Sequence, residues 1–213
     1  LSIMMNAPKQ LHGDDLFHTC MLRAKSYINI LHNAIKSENE ELIEANQDNY
    51  SLAYQDVLEA KKIANKDALR KEVNELSNYL QRTLRLSGAG FLNNIYNNKL
   101  LNSTSRSALL DEAQKYLSAA IKLDTLDYLS HDFYGQVLML KRDREGALKH
   151  FKKSITHFKV LDIEAFPDFG HFKIYANIAI LYMQNKEVDA AIELLDEGKS
   201  KLKSLKSKSK LKN

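Results

Sequence analysis

The sequence predicts an all-α fold, on three observations. Apolar residues recur every three or four positions along most of the chain, the spacing that gathers them on one side of a helix. Nothing alternates with period two for long enough to read as a strand. Only seven glycines and two prolines punctuate the 213 residues, too few for the turns of a β-sandwich or barrel. The balance of 44% hydrophobic and 27% charged residues is that of a folded, soluble protein rather than a disordered one. One cysteine excludes an internal disulfide framework and any multi-cysteine metal site.

The first helix is read from Asp14 to Ile35. Its stripe is Leu16, Phe17, Cys20, Met21, Ala24, Tyr27, Ile28, Leu31, Ala34 and Ile35, and Asp14 and Asp15 face its unpaired N–H groups. Residues 1–13 before it are expected to be disordered. A second helical stretch spans about 38–64, with Leu42, Ala45, Ala53, Val57, Ala60 and Ile63 on one side and the polar run 46–49 as an alternative break. Asp67 caps a third helix through Leu69, Val73, Leu76, Leu80 and Leu84. Ser87-Gly88-Ala89-Gly90 reads as the clearest breaker in the chain. Residues 14–86 thus form an N-terminal helical unit, of three helices or of degenerate repeats. Beyond the break, 91–101 reads as a helix and Asn102–Ser107 as a polar loop.

Three later segments align without gaps. Each holds a small residue (Ala113, Ala147, Ala191), a large apolar one four later (Leu117, Phe151, Leu195), and a small one three further on (Ala120, Ser154, Gly198). Ala113 and Ala147 stand 34 residues apart. Ala147 and Ala191 stand 44 apart, an insertion of ten that the Pro167-bearing stretch 161–170 can absorb. Twelve residues before two of these segments sits another small residue, Gly135 or Ala179. Small side chains let the two helices of a hairpin approach closely, while large ones fill the gap to the next hairpin.

The pattern resembles the tetratricopeptide repeat (TPR) family, whose period is about 34 residues. The match covers two full repeats over 128–202 and the second helix of one over 91–124. Over 1–90 it is faint. The resemblance implies antiparallel helical hairpins stacked as a short right-handed superhelix across 91–205, with the additional N-terminal helices beside it. It also implies a groove, lined by the first helix of each hairpin, that holds a protein or peptide partner. Carried over by position, the groove residues are Asp132, Gln136 and Met139, then Lys173, Ala176, Asn177, Ile180 and Met183. Some family members clamp a C-terminal carboxylate with Lys, Arg and Asn. Lys173 and Asn177 match in kind, but Asp132 stands where a cation is wanted, which disfavours that ligand.

No motif for catalysis, phosphate binding or metal binding is present, so the expectation is a non-catalytic protein without cofactors. The seven histidines are scattered; His150 and His157 share a helix face, too far apart for adjacent-turn metal pairing. Cys20 sits on an apolar stripe, as a buried thiol does. Net charge is +4, yet residues 199–213 hold seven lysines and no acid. The other 198 residues therefore carry 24 basic against 27 acidic side chains. The final helix is expected to reach about residue 205, with a disordered lysine-rich tail over 206–213. With no aromatic or arginine interleaved, that tail supports only nonspecific contact, and nucleic acid is disfavoured as a partner. No transmembrane segment or signal peptide is visible, which predicts a cytoplasmic protein, although a chain opening on Leu1 leaves a removed upstream segment open. Homo-oligomerisation stays open too. A ligand-sensing regulator with the helices of 14–86 as its effector module, which a hinge at Gly88–Gly90 would favour, and a chaperone holding a client segment for secretion or assembly, are the alternatives to a passive scaffold.

Overall fold

The apolar periodicity is realised as helices throughout. The computed structural model describes residues 13–37, 48–158 and 173–210, and among them the secondary structure is eight helices and no strand. They are α1 (Asp14–Lys36), α2 (Asn49–Ile63), α3 (Asp67–Asn97), α4 (Ser103–Leu123), α5 (Tyr128–Leu140), α6 (Arg144–His157), α7 (Lys173–Gln184) and α8 (Val188–Lys210). The expected segment before Gly13, the start of the second stretch with Leu42 and Ala45, and the insertion at 161–170 lie outside the described residues. The chain divides into two compact units, one within Leu1–Ser87 plus Lys122–Asp124 and one within Gly88–Ile121 plus Thr125–Asn213.

In the first unit, α1 packs along α2. The expected stripe is buried: Phe17, Cys20, Met21, Ala24, Ile28, Leu31 and Ala34 from α1, with Ala53, Val57 and Ala60 from α2. Val73, Leu76, Leu80 and Leu84 continue it on α3. Each large side chain so buried contributes about 1.5–3 kcal/mol. One ion pair lies within this packing, from the Arg23 guanidinium to the buried Asp56 carboxylate, with Nε donating to Oδ2 at 3.2 Å. Burial raises the Asp56 carboxyl above its ordinary range, and the hydrogen bonds from Arg23 oppose the shift. Lys66 and Asp14 join at 2.5 Å and Lys25 and Glu72 at 3.0 Å. Both pairs are exposed and worth little.

The expected break at Ser87–Gly90 is not one. α3 continues through it to Asn97. Gly88 is buried, and a β-carbon there would lie 2.5 Å from Leu117 Cγ, so the glycine is where α3 and α4 touch. Ser87 lies within the helix and donates its hydroxyl to the Thr83 carbonyl at 2.9 Å. Nor is the polar run after Asn102 a loop. Asn102 Oδ1 accepts the Ser105 N–H at 2.8 Å, and α4 starts at Ser103.

The second unit is built from hairpins in chain order. Leu92, Ile95, Leu110, Ala113, Leu117 and Val137 form one core cluster, joining α3, α4 and α5. Leu138, Ala147, Phe151, Ile174, Ile178 and Leu181 form the next, joining α5, α6 and α7. α5 packs on α6, α6 on α7 and α7 on α8. Gly135 meets the Phe151 ring, where an added β-carbon would be 2.7 Å away. Ser154, the second small position, donates its hydroxyl to the Tyr128 carbonyl at 2.7 Å.

The two hairpin turns repeat one backbone solution. Arg142 (φ 67°) and Lys186 (φ 65°) both take the left-handed conformation, and they stand 44 residues apart, as Ala147 and Ala191 do. Asp143 N–H reaches the Leu138 carbonyl at 2.9 Å, and Glu187 N–H reaches that of Tyr182 at 2.8 Å. This is the six-to-one bond that closes a helix C-terminus. Asp127 and Asp143 then cap the starts of α5 and α6, accepting from Ser130 N–H and Gly146 N–H. In the last hairpin the register differs from the alignment. Ala191 and Gly198 are buried as expected, but Leu195 is 44% exposed, and its neighbour Leu194 takes the inward place. α8 also runs five residues past the expected end at 205.

Candidate peptide-binding groove

The residues expected to line a groove fall on two helix faces, set by spacings of three and four. On α5 these are Asp132, Gln136 and Met139. On α7, Ile174, Tyr175, Ile178, Ala179 and Leu181 turn into the hairpin cores. Lys173, Ala176, Ile180 and Met183 occupy the opposite side, open to solvent, with Asn177 half-buried between. Ile180 is 45% exposed and Met183 59%.

The α5 face is less open than expected. Met139 packs against the core cluster under α6 and α7. Asp132 is buried, with only 6% of its surface exposed. Gln136 Nε2 donates to Asp132 Oδ2 at 3.2 Å, and Asp132 Oδ1 has no hydrogen-bond partner among the described residues. Burial pushes the Asp132 carboxyl up to about 7; the Gln136 hydrogen bond and the Lys173 ammonium act against that. The carboxyl therefore exchanges its proton around neutrality, so it can either donate or accept a hydrogen bond there. Of the α7 residues, Lys173 is the one whose charge reaches Asp132. Ile180 lies about two turns and Met183 nearly three turns further along the helix.

Sequence reasoning missed Tyr96. Its hydroxyl donates to Gln136 Oε1 at 3.4 Å, and its phenol is raised by burial and by Asp132. α3 runs nine residues past Gly88, whereas α5 runs five past Gly135, and Tyr96 sits on that added turn. A repeat template places no residue there.

The histidines cluster on another side of the α5–α6 hairpin. His131 Nε2 lies 3.1 Å from the Thr125 carbonyl and so carries the proton. Its Nδ1 then accepts from His150 Nδ1–H at 2.9 Å. The His150 ring lies on Tyr134, with centroids 4.5 Å apart. His157 is near His131, at 6.3 Å between ring centroids. Among the described residues no group of three or more His, Cys, Asp or Glu is arranged to hold a metal ion. A recess of about 170 Å³ lined by Arg23, Tyr27, Leu52, Gln55 and Asp56 in the first unit is smaller than ordinary ligand pockets. Among the described residues no helix is long and apolar enough to cross a membrane.

No family model matches the sequence, and no curated protein does. Two solved structures are similar in fold. One, titled "Crystal structure of MamA", is 16% identical with a TM-score of 0.39, covering 80% of this chain and 98% of that one. The other, "Crystal structure of MamA protein", is 16% identical with a TM-score of 0.36, covering 84% and 91%. At those scores the likeness is distant, and the hairpin repeat stands on the chain's own contacts and turns.

Proposed function

We propose that this protein is a non-catalytic adaptor that binds a protein or peptide partner along the first-helix faces of its hairpins. The observation that carries the reading is α7, whose inner face is buried while Lys173, Ala176, Ile180 and Met183 stay open in one stripe. A helix in such a hairpin stack has no structural need for Ile and Met on its solvent side, and Met adapts to varied ligand shapes. Beside the stripe, Asp132, Gln136 and Tyr96 supply hydrogen-bonding groups for a peptide backbone or side chain.

The test is capture from lysate on immobilised protein, identified by mass spectrometry, with wild type beside the Lys173→Glu/Ile180→Glu/Met183→Glu variant. These side chains are exposed, so the variant should melt within about 2 °C of wild type while losing the partners that wild type retains. Capture that persists in the variant removes the groove assignment.

A further inference from the structure

In the second unit, the second helix of a hairpin has a face that the first helix of the next hairpin covers. On α4 that face holds Leu117, which shares a core cluster with Val137 of α5. On α6 it holds Phe151, which shares a cluster with Ile174 and Ile178 of α7, and Leu148, which packs against that cluster. Lys152 belongs to the same face, its ammonium 5.6 Å from the centre of the Tyr182 ring of α7. α8 carries the corresponding face, and among the described helices none follows it. The offset of 44 that sets Ala191 on Ala147 sets Ile192 on Leu148, Leu195 on Phe151 and Asp196 on Lys152. Ile192 and Leu195 are 54% and 44% exposed, and Val188, one turn earlier, is 53% exposed. The end of a helical-repeat stack ordinarily turns a polar side outward. Here the spacing of four then three makes an apolar seat for one more helix.

Charge decides what the seat takes. From Glu187 to Glu197 the chain also holds Asp189, Glu193 and Asp196, and no basic residue. Glu197 is paired with Lys201 at 2.6 Å, whereas Asp189, Glu193 and Asp196 stand exposed beside the stripe. Lys199, one turn past Leu195, bounds the acidic stretch. Position 152 of α6 holds a cation and meets an aromatic ring; position 196 of α8 holds an acid, so the helix over it has to offer a cation. Two copies pairing through Val188–Leu195 would set acid beside acid, which disfavours self-association by this face.

We propose that the outer face of α8 is a docking site for an amphipathic helix of a partner protein, apolar on one side and flanked by lysine or arginine. It takes the place that a next first helix takes in the stack. Its apolar side covers Val188, Ile192 and Leu195, and its cations meet Asp189, Glu193 and Asp196. The seat shares no residue with the groove, so this inference and the adaptor reading fail independently.

The experiment is fluorescence anisotropy with the full chain and two labelled synthetic helical peptides of about 16 residues. Both carry leucines every three or four positions; lysines flank them in one and glutamates in the other. The lysine peptide should bind with Kd below about 100 µM. Ile192→Ser/Leu195→Ser should weaken it about tenfold or more. Asp189→Lys/Glu193→Lys/Asp196→Lys should lose the lysine peptide and take the glutamate one. The chain's net charge is +4, so unspecific attraction favours the glutamate peptide, and a preference for lysine reports the local acids. The groove variant Lys173→Glu/Ile180→Glu should bind the lysine peptide as wild type does; a loss there moves the binding to the groove and overturns the proposal. The changed side chains are exposed, and thermal melts verify the fold; if the serine variant unfolds, the charge reversal decides. A lysine peptide that does not bind, binding indifferent to Ile192 and Leu195, or a charge-reversed variant that still prefers lysine overturns the proposal. Sedimentation without peptide covers the remaining occupant: a dimer lost in Ile192→Ser/Leu195→Ser assigns the face to a second copy and overturns it too.

Discussion

Gly88 and Gly90 lie two residues apart in α3, and exchanging each for alanine separates a helix contact from a breaker. In a helix interior alanine is favoured over glycine by about 1 kcal/mol. At Gly90 nothing lies within 4 Å of an added β-carbon, so Gly90→Ala should stabilise by about 0.5–1 kcal/mol. At Gly88 the same atom would stand 2.5 Å from Leu117 Cγ and 2.9 Å from Cδ2. Cγ is the branch point of the leucine, so it cannot yield without carrying both methyl groups into their neighbours. Overpacking of this kind costs about 1–3 kcal/mol. After the helix gain is subtracted, Gly88→Ala should lose up to about 2 kcal/mol. The assay is urea unfolding followed by circular dichroism, with unchanged slopes and midpoints moving in opposite directions. Leu117→Ala removes the obstructing atoms, so in that background Gly88→Ala should become neutral or stabilising, a non-additivity above about 1 kcal/mol. Equal stabilisation at both glycines would refute the contact. Equal, severe loss at both would restore the break.

Three further outcomes are expected. Asp132 holds its proton more tightly when folded, up to about 7, than the ordinary 3.9 or so of an unfolded chain. Its contribution is therefore complete below pH 4 and disappears as pH rises through 7, costing at most about 4 kcal/mol above that. Asp132→Asn should raise the melting temperature at pH 8 and leave it nearly unchanged at pH 4, and a flat difference with pH would sink this account. His150 runs the other way. Burial, His131, Lys153 and Lys149 lower it to about 4, against the opposing Asp143, so its contribution is present above about pH 6.5 and fades as pH falls toward 4. Allowing for solvent at a half-buried ring, the loss is about 1–2 kcal/mol. His150→Phe, which keeps a ring on Tyr134, should flatten that acid limb in thermal melts. Last, Arg142→Gly and Lys186→Gly relieve a left-handed backbone that costs a side-chain-bearing residue about 1 kcal/mol. Each should gain a few tenths to about 1 kcal/mol in denaturant unfolding, and a loss at both sites would show the two turns are not strained as described.

Most of the fold was readable because burial follows period. The stripe from Phe17 to Ala34 and the small positions Ala113 and Ala147 are buried where spacing put them. The failures have separate physical causes. Gly88 reads as a breaker by local preference, whereas in the fold it lies under Leu117, twenty-nine positions away in no local pattern. With Gly88 in its proper role, twenty-nine residues separate it from Leu117 where sixteen separate Gly135 from Phe151. A fixed-period alignment cannot bridge that difference, so the first helix of the earliest hairpin went unseen. Asn102–Ser107 looks like a loop because its residues are polar, yet a capping asparagine is itself a helix start. Of the groove, Lys173, Ala176, Ile180 and Met183 were named through the repeat resemblance, and they lie open on α7. The burial of Asp132 and the arrival of Tyr96 were not legible, since both depend on which helix lies across from them.

The succession of contacts, α5 on α6, α6 on α7 and α7 on α8, governs how this stretch of chain comes together. Each of these three contacts joins helices consecutive among those described, and local contacts of this kind go with low contact order and folding in microseconds to milliseconds. The same locality makes the stack dismantle in order. Pulled from Lys210, α8 parts chiefly from α7 among the described helices, and each later step exposes one more helix rather than collapsing the whole, as a zipper opens from its free end.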